Sequence, residues 1–110
     1  MTRTFIQTNE FSHNWDDLGF NDDYLRRLEW EILHNPKIGP VVPGTGKLRK
    51  MRFAFPGQGK RGSSRVCYVD YVVAETVYLI TIYAKNKKDT LSKAECNEIK
   101  AMIDALESSL

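Results

Sequence analysis

Residues 44–88 read GTGKLRKMRFAFPGQGKRGSSRVCYVDYVVAETVYLITIYAKNKK, and this stretch decides the fold. Residues 48–55 alternate: Met51, Phe53 and Phe55 point one way, Lys50 and Arg52 the other. That predicts a strand with an apolar face and a cationic face. Residues 56–63 carry Gly57, Gly59 and Gly62 and predict a polar hairpin loop. Residues 64–73 are rich in β-branched and aromatic side chains, so they predict a central strand. After a turn at 74–76, residues 77–84 predict a third strand. Tyr78, Ile80 and Ile82 are expected on one face of it, and Leu79, Thr81 and Tyr83 on the other, with Lys85 continuing the Tyr83 side. One face of this meander is expected to carry Lys50, Arg52, Tyr83 and Lys85.

The flanks predict what covers the sheet. Residues 3–8 read as a short strand. Phe11, Trp15 and Leu18 share one face of a short helix over 11–18, and Gly19 ends it. A longer helix spans 21–34, capped by Asn21, with Asp22 and Asp23 favoured by the helix dipole and Leu25, Leu28 and Ile32 along one face. It stops before Pro36. Residues 37–46 are a connection rich in glycine and proline. Ser92 and Glu95 form an S-x-x-E capping box, and Ile99, Met102, Ile103, Leu106 and Leu110 give the stripe of a last helix packed on a sheet. The expected fold is α+β: a small antiparallel sheet (N-terminal strand plus three-stranded meander) packed against two N-terminal helices and one C-terminal helix. Residues 1–110 suit one domain with a single modest core.

Charge is segregated along the chain. Residues 1–36 hold three cations and seven anions, net −4; residues 37–88 hold eleven cations and two anions, net +9; residues 89–110 hold two cations and five anions, net −3. Adjacent cations on a sheet repel one another, so a concentration of this kind points to a polyanionic partner. The N-terminal residues lack the apolar core of a secretory signal, and no apolar run approaches membrane-spanning length, so a cytoplasmic protein is expected. Cys67 and Cys96 lie outside any ligand spacing and read as two buried thiols.

Several apparent motifs fail their context. Gly57, Gly59 and Gly62 match G-x-G-x-x-G, but they join two strands and open no helix, so they form no dinucleotide fingerprint. Gly46–Lys47 is followed by Leu48, where a phosphate-binding loop needs Ser or Thr. His13 and His34 have no partner at metal-ligand or dyad spacing, and Ser63 and Ser64 have no nearby base. No cofactor and no metal are expected. A cationic sheet with Tyr83 on the same face suits unpaired RNA, whose bases stack on aromatic rings, better than the DNA major groove.

Three segments together, GTGKLRKMRFA, GQGKRGSSRVCYV and YLITIYAKNKKDTLS, resemble the RelE superfamily of bacterial type II toxins, with the HigB-like branch nearest. The resemblance covers nearly the whole chain. It implies a ribosome-dependent endoribonuclease that cuts messenger RNA in the A site of the 70S ribosome. It also implies a HigA-like helix-turn-helix antitoxin, through which operator DNA would be met indirectly. On the resemblance, Arg65 takes the place of the arginine that holds the scissile phosphate. Lys50 and Arg52 take the paired basic positions of the preceding strand, and Lys85 the lysine after the last strand. Asn86 stands where the best-known branch has a second arginine, and the last helix has no tyrosine.

RNA supplies its own nucleophile, the 2′-OH. Cutting needs a base, stabilisation of the phosphate and an acid for the 5′ oxygen. The candidate bases are Lys50, Lys85 and Tyr83, with crowded cations expected to lower their pKa values; Arg65 and Arg52 would stabilise the phosphate. Lys47, Arg49, Lys60, Arg61, Lys87 and Lys88 are expected to bind RNA or ribosome. Two other readings compete: a ParE-like gyrase inhibitor, and an RNA- or ribosome-binding module that cuts nothing.

Overall fold

A computed structural model describes residues 2–54, 63–88 and 90–110. The elements in order are β1 (Thr4–Gln7), α1 (Asn9–Asp17), α2 (Asp22–His34), β2 (Arg49–Ala54), β3 (Ser63–Tyr71), β4 (Thr76–Ala84) and α3 (Lys93–Ser108). The helices begin where their side chains can cap them. The Thr8 hydroxyl accepts from the Phe11 N–H at 3.1 Å, and the Asn21 side chain accepts from the Tyr24 N–H at 3.0 Å. Ser92 and Glu95 form the full reciprocal box at the start of α3.

The four strands form one sheet in the order β1-β4-β3-β2. The meander is antiparallel as expected. β1 is not: it runs parallel to β4, with Thr4 opposite Thr76 and Gln7 opposite Leu79, so the sheet is mixed. The chain reaches β2 only after α1 and α2 have crossed one face, which places β1 on the far edge beside β4. The Arg3 guanidinium clasps Asp70 of β3 at 2.8 Å and fixes that edge.

Each sheet face has its own core. α1 and α2 bring Phe11, Trp15, Leu28 and Ile32 onto Met51, Phe53, Val66, Leu79 and Ile82. α3 brings Ile99 and Ile103 onto Leu48, Cys67, Val69, Tyr71, Ile80 and Tyr83. The Tyr71 hydroxyl donates to the Ile103 carbonyl at 2.7 Å and ties α3 to β3. Cys67 is buried as expected, and desolvation pushes its thiol up to about 12. Cys96 is only half-buried, because it sits in the first turn of α3 at the rim of that core.

The alternation expected along β4 breaks. The β3–β4 register shifts between Cys67 and Tyr68: Cys67 pairs with Thr81, but Tyr68 pairs with Leu79. Ile80 is the extra residue of a β-bulge. Below the bulge, Leu79 faces α1 and α2; above it, Ile82 does so, and Tyr83 turns to the α3 face. Strict alternation would have sent Tyr83 to the side of Leu79.

The strap after α2 runs along the outer edge of β2. The Lys50 N–H donates to the Pro40 carbonyl at 3.1 Å, and the Val42 N–H donates to the Leu48 carbonyl at 2.7 Å. Among the described residues no helix is long and apolar enough to cross a membrane.

Candidate functional site

The register builds a cationic row across three strands. Arg52 on β2 pairs with Arg65 on β3, and Arg65 pairs with Tyr83 on β4. Paired residues of an antiparallel sheet point to the same face, with Cα atoms about 4.5–5.5 Å apart. The two arginines are therefore direct neighbours. α3 covers this face over Val69, Tyr71 and Tyr83, and Arg52 and Arg65 line an opening beyond it.

The opening is a cleft of about 650 Å³, lined by Lys50, Arg52, Arg65 and Lys85 together with Ile38 and Pro40. Among the described residues no carboxylate lines it. Arg65 is only 8% exposed. Its guanidinium lies 3.3 Å from the Ser64 carbonyl and 3.5 Å from the Ser63 hydroxyl, both neutral groups at the long end of hydrogen bonding. Among the described residues none of the four cleft cations makes an ion pair.

The other basic residues singled out by sequence are placed differently. Lys47 is paired with Glu107 of α3 and lies over the Tyr71 ring, away from the cleft. Lys88 is paired with Glu95 at 2.6 Å, and its ammonium sits 4.9 Å over the Tyr83 ring. That pairing holds the Glu95 carboxyl below its usual range, helped by the Ser92 N–H. Arg49 points to the opposite face from Lys50 and donates to the Gly39 carbonyl at 2.8 Å. Lys87 lines a small depression with Asn14, Asp17 and Tyr83. Lys60 and Arg61, with the rest of the 55–62 segment, lie outside the described residues. Tyr83 itself is 8% exposed and belongs to the core under α3. His13 and His34 engage Asp17 and the Trp30 carbonyl within their own helices.

Sequence reasoning missed Ile38 and Pro40 as cleft residues. Their only signal was a glycine- and proline-rich connection, which tells of a turn and not of where it is laid.

No family model matches the sequence. Solved structures do. The E. coli toxin RelE in the free state, with two arginines replaced by alanine, superposes with a TM-score of 0.64 at 16% identity, covering 89% of this chain and 97% of that one. The fold is RelE-like. The same E. coli RelE mutant in complex with an antitoxin RelBc peptide superposes at 0.56 with 18% identity, covering 83% of this chain and 100% of that one. The RelE-like fold thus spans nearly the whole chain, and the cleft lies on its sheet where β2, β3 and β4 run side by side.

Proposed function

We propose that this chain is the toxin of a type II toxin–antitoxin pair, of the HigB-like branch, and a ribosome-dependent endoribonuclease cutting messenger RNA in the ribosomal A site. One observation carries the reading: a buried arginine, Arg65, has a second arginine opposite it on the next strand and no carboxylate partner among the described residues. A buried charge is costly unless paired, so the site is built for an anion that arrives from outside. Lys50, Arg52 and Lys85 around it suit a phosphodiester better than a lone carboxylate.

In the proposed reaction the 2′-oxygen bonds to phosphorus and the bond from phosphorus to the 5′ oxygen breaks. The 2′ proton passes to a base, and the leaving oxygen takes a proton from an acid. Arg65 and Arg52 stabilise the charge that builds on the phosphate oxygens. The base is Lys50 or Lys85, the two ammonium groups that line the cleft, and the other serves as acid. Tyr83, buried and roofed by Lys88, supports Arg65 from the next strand. An unconstrained RNA seldom presents its 2′ oxygen in line with the leaving 5′ oxygen, so the reaction is slow unless the substrate is held in place. The ribosome supplies that alignment. The antitoxin peptide bound to the E. coli RelE neighbour supports a protein antitoxin here too. We assign it the HigA-like helix-turn-helix type, with operator DNA reached through it. Both partners put the work in the cytoplasm.

The test is primer extension on a defined message programmed into 70S ribosomes, with wild type, Arg65→Ala and a ribosome-free control. Cuts in A-site codons that need ribosomes and vanish in the variant are expected. Ribosome binding without any cut would replace the nuclease with a binding module.

A further inference from the structure

The cleft has two kinds of wall. Its floor carries Lys85, Arg65, Arg52 and Lys50; its outer side is the strap beyond β2, where Ile38 and Pro40 are apolar and exposed, Ile38 at 41%. A nucleotide has the same division, an anionic phosphate and a flat, largely apolar base face. The strap lies two strand spacings from β3, about 10 Å, so one nucleotide spans from the Arg65 guanidinium to it. Tyr83, the sequence candidate for stacking, is poorly placed to receive a base, since it is 8% exposed and Lys88 already lies over its ring.

Resting on the RNA reading above, we infer that Ile38 and Pro40 seat the base next to the phosphate held by Arg65. The strap then determines which nucleotides are accepted. It is built to stay in place. The Gly39 N–H donates to the Tyr68 hydroxyl at 3.2 Å, and that hydroxyl donates to the Pro36 carbonyl at 2.8 Å. Burial pushes the Tyr68 phenol up, which keeps it a neutral donor. Arg49, expected from sequence to touch RNA, instead holds the Gly39 carbonyl and is a positioning residue. A Cβ on Gly39 would stand 2.7 Å from the Lys50 carbonyl oxygen, so only glycine lets the strap lie this close to β2. Apolar side chains commonly flank an unstacked base in nucleic-acid sites, and a preorganised wall gives discrimination without ordering cost at binding.

The experiment is fluorescence anisotropy at low salt with a short single-stranded RNA whose 2′ oxygens are methylated, which prevents cutting. The same RNA is also tested with one abasic position moved along it. Wild type, Ile38→Ser and Arg65→Ala are compared, and Ile38 is exposed enough for its variant to fold. At one position, loss of the base weakens wild-type binding about tenfold. The same change costs Ile38→Ser less than about twofold, while Arg65→Ala weakens intact and abasic RNA alike. An equal abasic penalty in wild type and Ile38→Ser, no penalty in wild type, or no RNA binding overturns the base seat. The ribosome assay separates the two claims. An Ile38-dependent penalty without cleavage keeps the seat and removes the nuclease; cleavage with no Ile38 effect does the reverse.

Discussion

Arg65 shows what one residue asks of its surroundings. Its side chain is buried beside Arg52, and the hydrogen-bond acceptors it meets among the described residues are neutral oxygens at 3.3 and 3.5 Å. A side chain kept in such a place weakens the empty protein. Arg65→Met, similar in length and apolar, should raise the unfolding free energy by about 1 kcal/mol and the thermal midpoint by a few degrees. It should abolish RNA cleavage at the same time. Calorimetry and the ribosome assay on one preparation check both, and a lower midpoint would mean the guanidinium is satisfied within the fold. The sequence made Arg65 visible as a cation at the start of a central strand. It could not show the burial, which depends on what lies above and below.

At the scale of the element, α3 is held at both ends by lysines of the basic stretch. Lys47 meets Glu107 near its C-terminus, and Lys88 meets Glu95 in its first turn. These two pairs hold two lysines of the basic stretch on α3 and not in the cleft, which charge density along the chain does not show. Partners 60 and 7 residues apart cannot be matched from composition. Glu95 gives a pH prediction. Its folded pKa lies below the ordinary 4.5, so its contribution to stability is present above that value and fades as pH falls through the lower one. Glu95→Gln, which can still cap, should remove that part of the acid-induced loss, as followed by circular dichroism between pH 5 and 2. The helix caps and most of the apolar faces were legible because they are local, although Met102 and Leu110 of the expected α3 stripe are exposed. The bulge at Ile80 and the parallel seat of β1 were not legible, since both come from pairing with distant strands. Gly39→Ala belongs to this scale too: with 2.7 Å to the Lys50 carbonyl, the strap must lift from β2. Protection of the Lys50 amide from hydrogen exchange should drop selectively, while the cores under the helices stay protected.

Across the whole molecule, the basic segment that supplies the cleft cations is flanked in sequence by acidic segments, and the formal net charge is only +2. Binding should therefore follow the local field and not the total. Four cleft cations engaging single-stranded RNA give a log–log salt slope of roughly −3. Arg52→Gln should flatten it by about 0.7, whereas Lys47→Gln, far from the cleft, should leave it unchanged. Titration of binding between low and moderate salt measures this. Equal slopes for Arg52→Gln and wild type would place the phosphate path elsewhere.

The pairing of β1 with β4 also has a consequence for biosynthesis. Thr4 and Thr76 are neighbours in the sheet, yet α1, α2, β2 and β3 all lie between them along the chain. A nascent chain carries β1 unpaired until β4 has been added. The cleft is no earlier: its last cation, Lys85, is added after β4, and the α3 residues that cover Ile80 and Tyr83 follow later still. On the proposed function, the ribosome that makes this protein has already added β4 and α3 before the product has a working site.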